Sequence, residues 1–502
     1  MNHSLSLAST ATGTQLRRAA LLAAFMGLGP AAFGQTPTFG ALGTYATGTG
    51  TNPQRVAVAD MNGDGKRDAL VTNAGTNTVA LLLGNGSGGF TLQSPAAPIG
   101  AGTSPRAVAV ADVNLDGRPD AVVANYTTGT LAVLLGNGSG GLALQTPAPS
   151  TGGTNPTSLV MADVNGDGKP DALTTNSNGG NLGVLLGNGS GGFTYQSSSP
   201  ATGGSIPYAV AVADVNADGK LDALVGNYDN GTLGVLLGNG AGGFTLQATT
   251  PATGATGSVP YSVAVADVNG DGKPDALVAN YGTSTLGVLL GNGSGGFTLQ
   301  ASSPSTGAGS RPSSVVVADV NGDGKRDAVV ANSSSGRLGI LLGDGSGNFT
   351  LQTTTLPAGA SSSSFSLAVA DVNGDFKPDA LTVSFSDNSL SVQLNTTTGG
   401  NFLVARTALP GASATLSPNP AHAGTTLTAT GLPAATTQLA ATLLDPIGQQ
   451  VRRLAVPAMA GAATVTVPTT GLATGLYLLR LDASDAQGAA LGTLPTQRLS
   501  VE

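Results

Sequence analysis

The chain has 502 residues, of which 76 are Gly and 28 Pro and only 4% aromatic, so it reads as many short strands joined by turns. A hydrophobic content of 40% is enough to bury a core, which excludes wholesale disorder, and the lack of any Cys excludes disulfides as the device that holds it. A formal charge of −8 argues against nucleic acid as a partner, and because Glu502 is the only Glu among 28 acids, the Asp residues are selected for a short side chain rather than for solubility.

In chain order the first element is an export signal over residues 1–34. Arg17 and Arg18 close a charged stretch, Ala19 to Leu28 form a short apolar run, and Ala32-Phe33-Gly34 offers a small-x-small cleavage site before Gln35. The run falls well short of the ~20 apolar residues that span a bilayer. The expectation is a protein without a transmembrane span, carried out of the cell by a Sec-type signal peptide.

A repeat then organises the chain. The string D-V-N-G-D-G-K-P-D, or a close variant, begins at Asp60, Asp112, Asp163, Asp214, Asp267, Asp319 and Asp371, at spacings of 52, 51, 51, 53, 52 and 52 residues. Within the fourth unit, Tyr208 to Asp214 alternates as a strand, Asp222 to Asn227 is a second, Thr232 to Leu237 a third, and Phe244 to Gln247 a fourth after the glycine-rich turn Gly238 to Gly243. Four strands and a long Ser/Thr/Pro/Gly connection make one propeller blade, and seven such units suit a closed ring better than an open solenoid. Phe39 to Tyr45 and Asn401 to Arg406 stand where a fourth strand would fall at either end, so one of them is expected to complete a blade shared by both termini.

Each loop sets side-chain oxygens at positions 1, 3, 5 and 9. Position 1 is Asp60, Asp112, Asp163, Asp214, Asp267, Asp319 and Asp371; position 3 is Asn62, Asn114, Asn165, Asn216, Asn269, Asn321 and Asn373. Position 5 is Asp64, Asp116, Asp167, Asp218, Asp271, Asp323 and Asp375; position 9 is Asp68, Asp120, Asp171, Asp222, Asp275, Asp327 and Asp379. The carbonyl of position 7, contributed by Lys66, Arg118, Lys169, Lys220, Lys273, Lys325 and Lys377, can join them. Three carboxylates this close repel unless a cation sits between them, and hard oxygen donors in a flexible loop select Ca²⁺ over transition metals and over Mg²⁺. Up to seven ions are expected, which would carry the formal charge from −8 to +6 (−8 + 14). Position 6 is Gly except in the seventh loop, where Phe376 makes a weak or empty site the expectation. An EF-hand is excluded, because position 12 is not Glu (Val71, Val225) and the flanks alternate like strands.

These units resemble the FG-GAP or VCBS repeats, a resemblance that implies an integrin-α-like seven-bladed propeller over residues 35–410 with a calcium loop in each blade. The tail over 411–502 differs in kind. Its blocks Leu416 to Ala421, Gly475 to Leu481 and Gln497 to Glu502 resemble the C-terminal sorting domain of the Bacteroidetes type IX secretion system, which implies a small β-sandwich, export to the outer cell surface or beyond, and that machinery as a partner. The fold class expected is therefore all-β.

Three functions compete. Tyr126, Tyr208, Tyr228, Tyr261 and Tyr281 map to the propeller face opposite the calcium loops and form a candidate binding face for an extracellular protein or glycan, with ordinary loop packing as the alternative. An enzyme is disfavoured: His3 and His422 lie outside the repeats, which hold no His, Cys or Glu, and Asp229, Asp344 and Asp387 are too scattered for a carboxylate pair. A surface or matrix spacer without a dedicated ligand is the third reading, favoured by the near identity of the repeats.

Overall fold

The computed structural model describes residues 35–502 apart from residue 198, 353–355, 359–363, 399–412, 418–423, 431, 433–437, 445–449, 458–461, 470–471, 473–474, 485–489 and 502. The expected signal segment and Asn401 to Arg406 lie outside the described residues. Everything described is strand, turn or irregular, and no helix among the described residues is long and apolar enough to cross a membrane.

The aspartate repeat folds as seven antiparallel sheets of one four-stranded plan, two of them with a short fifth strand, consistent with a β-propeller. In the fourth unit the strands are Pro207–Ala213, Asp222–Asn227, Thr232–Gly238 and Phe244–Leu246. The second strand is buried along its whole length, as are its equivalents, because it lies in mid-sheet with neighbours on both faces. The first strands, Pro53–Ala59, Pro105–Ala111, Pro156–Ala162, Pro207–Ala213, Pro260–Ala266, Pro312–Ala318 and Ser364–Ala370, pack against one another in chain order, and the last packs against the first.

The apolar core lies between sheets. Leu173, Leu182 and Val184 of the third unit meet Val210, Val225 and Leu236 of the fourth, and the pattern recurs from unit to unit. Val71 and Leu82 of the first unit likewise share a cluster with Leu381, Val383 and Val392 of the seventh. Two candidate strands competed to complete the terminal sheet, and the N-terminal one does so. Gly43–Ala46 pairs antiparallel with Ser389–Gln393, with Gly43 opposite Val392 and Ala46 opposite Ser389.

Beyond residue 412 the chain forms a three-stranded sheet of Ser413–Ser417, Gly424–Thr430 and Ala463–Pro468, and a four-stranded one of Gln438–Leu444, Gln450–Pro457, Gly475–Ser484 and Ala490–Val501. Leu427, Val467, Leu439, Leu479 and Leu499 from the two sheets share one buried cluster. Two of the three blocks singled out in the tail are thus neighbouring strands, with Tyr477 opposite Leu499.

Candidate functional site

Each aspartate loop joins the first strand of a sheet to the second, and its side chains fold the backbone around themselves. In the first loop Asp60 Oδ1 accepts the N–H groups of Gly63 and Asp64, and Asp60 Oδ2 that of Gly65, at 2.8, 3.1 and 2.8 Å. Asn62 and Asp64 each accept the N–H two residues on, at 3.0 and 2.9 Å. The side chains at positions 1, 3 and 5 are thereby held against the loop's own backbone N–H groups. The equivalent bonds recur in the other loops, as in Asp163, Asn165 and Asp167 or Asp319, Asn321 and Asp323.

Positions 4 and 6 both take a left-handed backbone. Gly63 and Gly65 do so in the first loop, and Leu115, Ala217 and Phe376 adopt φ of 59°, 59° and 64° despite their side chains. The sequence reading singled out position 6 alone. Phe376 nevertheless keeps the loop's geometry, since its N–H donates to Asp371 Oδ2 at 2.8 Å as a glycine would. Among the described residues, Asp371, Asp375 and Asp379 of this same loop are the trio whose carboxylate oxygens lie within 4.8 Å of one another.

Position 9 has a second task that sequence reasoning missed. Asp68 is fully buried; its Oδ2 accepts the Met61 N–H at 2.9 Å and its Oδ1 the Gly84 N–H at 2.8 Å, at the far end of the third strand. Asp120, Asp171, Asp222, Asp275 and Asp327 make the same pair of bonds, and Asp379 does so with Val372 and Asn395. The signal was present as a Gly sixteen residues after each of the first six of these Asp residues.

Desolvation pushes the carboxyls at position 9 up, to about 6 at Asp171, about 8 at Asp327 and about 7 at Asp379; backbone hydrogen bonds oppose it and the acids at positions 1 and 5 add to it. Position 7 supplies partial compensation through its side chain: Lys66, Lys169 and Lys377 stand 3.3, 3.2 and 3.4 Å from the carboxylate at position 5. Such exposed pairs are weak. Three carboxylates, an amide oxygen and a carbonyl, with no nitrogen or sulfur ligand, make a donor set that fits a hard divalent cation.

At the other end of the first strands the ladder slips by one residue in every repeat, between Pro53 and Arg55, Pro105 and Ala107, Pro156 and Ser158, Pro207 and Ala209, Pro260 and Ser262, Pro312 and Ser314, and Ser364 and Ser366. A bulge re-aims the side chain it skips. Tyr208 and Tyr261 occupy two of these places, with ring centroids 4.1 Å apart, and Tyr228 and Tyr281 from the turns between second and third strands join them at 5.7 and 4.9 Å. Four of the five singled-out tyrosines are thus gathered into one half-buried cluster. Tyr126 stands outside it, beneath the Arg106 guanidinium at 4.5 Å. Burial pushes the Tyr261 phenol upward, and Tyr208 beside it adds to the shift.

The chain is similar to known proteins in its repeats. The model of the FG-GAP-like repeat matches six times, at residues 60–123, 112–174, 163–225, 216–278, 267–330 and 319–382. No curated protein matches the chain. Among solved structures, BBS1N in complex with ARL6DN is similar with a TM-score of 0.50 at 13% identity, over 73% of this chain and 98% of that one, which supports the propeller-like fold alone. A functionally unknown protein from Desulfotomaculum acetoxidans follows at 0.47 and 12%, over 67% and 96%, and one from Lactobacillus plantarum at 0.46 and 18%, over 61% and 86%. The six matched segments run without a break from residue 60 to residue 382, more than half of the chain, and on that ground it belongs to the FG-GAP-like repeat family.

Proposed function

We propose that the chain is an exported, calcium-stabilised, seven-bladed β-propeller that serves at the cell surface as a binding or adhesion module for a glycan or protein. Residues 35–410 form the propeller, 1–34 a signal peptide and 411–502 a sorting β-sandwich for type IX export. The apolar cluster shared by the first and seventh units supports a closed ring. The seven loops of uniform carboxylate chemistry support Ca²⁺ as a structural ion that folds with the chain.

The observation that carries the binding reading is a contrast between the two faces. The loops at one end of the first strands keep Asp, Asn, Asp and Asp at positions 1, 3, 5 and 9 in all seven repeats, while the bulge positions at the other end read Gln54, Arg106, Thr157, Tyr208, Tyr261, Ser313 and Phe365. A spacer has no need to break its repeat symmetry at one place. An enzymatic role finds no support in repeats without His, Cys or Glu.

Thermal melts of the full chain in EDTA and in millimolar calcium test the ion, and a glycan array with wild type and a Tyr208→Ala/Tyr281→Ala variant tests the face. A large upward shift in calcium and array hits lost in the variant are expected. No shift would sink the calcium reading, and a blank array with retention in cell-surface fractions would favour the spacer.

A further inference from the structure

The hydrogen bonds of position 9 do not end within their own sheets. Each of these Asp residues holds the N–H of position 2, which is Met61 in the first loop and Val in the other six, and all seven of those side chains are buried. In six loops the carbonyl of the same residue is taken by a neighbouring sheet. Val113 accepts the Gly191 N–H at 3.0 Å, from the turn that follows the third strand of the next repeat. Val164, Val215 and Val268 accept Gly242, Gly295 and Gly347 in the same way at 3.4, 3.0 and 3.2 Å, and Val372 of the seventh repeat accepts Gly88 of the first at 3.2 Å. Val320 is served by a side chain instead, since Asn395 Nδ2 donates to it at 2.9 Å while the Asn395 N–H donates to Asp379.

Each such turn is anchored by the Asp of its own sheet, as Gly187 donates to Asp171 Oδ1 at 2.8 Å four residues before Gly191. Bonds within a sheet and bonds between sheets therefore alternate around the loop-bearing end, from Asp120 and Val113 to Gly191, Asp171, Val164, Gly242 and Asp222, and on through the seventh repeat to Asp68 of the first. The residues that join the sheets are buried on both sides, so a joint that opens leaves polar groups without water. One junction differs. Among the described residues no backbone hydrogen bond ties Met61 to Gly140, the glycine of the second repeat that corresponds to Gly191. Apolar packing does cross there, because Met61 and Leu70 share a cluster with Ala121 and Leu134. The first and second sheets are packed together, yet their loops are not tied.

We propose that the seven aspartate loops act as one linear conformational array, joined from the second repeat through the seventh to the first and open between the first and the second. A loop that loosens frees the position-2 peptide, and with it the turn of the joined sheet and the Asp that holds that turn. Coupling of this kind is reciprocal, so each loop also steadies the one that steadies it. The array goes beyond the binding reading and needs no ion: the calcium melts can fail while it stands.

Hydrogen exchange of the full chain in millimolar calcium, followed by mass spectrometry, reads all seven loops in one sample. Asp120→Asn weakens the hold on Val113 and should speed exchange over residues 112–120 by about tenfold, the worth of one hydrogen bond. Residues 163–171 in the joined third repeat should follow by about threefold, while 60–68 in the unjoined first repeat stay within about twofold of wild type. Asp68→Asn should give the mirror image, with 371–379 faster and 112–120 unchanged. Asn395→Ala removes the donor to Val320 and leaves the N–H to Asp379, so exchange over 319–327 should rise; this variant decides the matter if either Asp variant fails to fold. An equal rise in both neighbours, or a rise in neither, would overturn the array. So would unchanged exchange over 319–327 in Asn395→Ala.

Discussion

Asp222 and Gly238 are clasped across sixteen residues: the carboxylate accepts the Gly238 N–H at 2.8 Å through Oδ1 and the Val215 N–H at 2.9 Å through Oδ2, at a site with no exposure. One side chain thereby ties the loop to the third strand of its own sheet. Asp222→Ala leaves two buried N–H groups without acceptors, and a loss of about 2–5 kcal/mol is expected in urea denaturation. Asp222→Asn retains one acceptor and should lose less. Lys220→Gln, which removes only an exposed pair at 3.7 Å, should stay within about 0.5 kcal/mol. Equal losses for Lys220→Gln and Asp222→Ala would refute the clasp.

The glycine at the other end of that bond is fixed by space as well as by hydrogen bonding. A Cβ on Gly238 would stand 2.1 Å from the Leu221 carbonyl oxygen, whereas one on Gly219 meets nothing within 4 Å but has φ of +80°. Gly238→Ala must displace backbone and should cost about 1–3 kcal/mol. Gly219→Ala should cost about 1 kcal/mol of left-handed strain. Denaturation midpoints that reverse this order would show that the strand end yields more readily than the loop.

Phe376 carries the strain that glycine avoids in the other six loops, with φ of +64° and a side chain 38% exposed. Phe376→Gly relieves about 1 kcal/mol of strain but gives up the ring's partial burial, so the two offset and stability is expected to stay within about 1 kcal/mol of wild type. A larger drop in the unfolding midpoint would mean that the ring packs usefully where it stands.

Calcium stoichiometry can be read loop by loop. Asp214→Ala combined with Asp218→Ala removes the carboxylates at positions 1 and 5 of the fourth loop and leaves the Asp222 clasp in place. Equilibrium dialysis against calcium should then return one ion fewer per chain than wild type. An unchanged count would show that the fourth loop binds none.

The strand pattern of a repeat was readable because Asp and Gly punctuate it: the expected strands from Tyr208, Asp222, Thr232 and Phe244 begin within one residue of where they are found. What escaped the reading are relations between distant backbone atoms. The clasp from Asp222 to Gly238 joins two places that each had a sufficient local explanation, one as an ion ligand and one as a turn. The slip at Tyr208 is equally silent, because a bulge leaves the alternation around it nearly intact and shows only when seven first strands are compared. Tyr126 illustrates the limit of position alone, since it occupies the same turn as Tyr228 and Tyr281 yet packs under Arg106.

The pairing of Gly43–Ala46 with Ser389–Gln393 spans 343 residues between Ala46 and Ser389 (389 − 46). A contact so remote in sequence forms after the local hairpins, so the terminal sheet is the last to be completed. Until then the backbone of Ser389–Gln393 is an open edge with unpaired donors and acceptors. The same segment of a second molecule can fill it as well as its own, which makes domain exchange between chains the characteristic hazard of a sheet completed in this way.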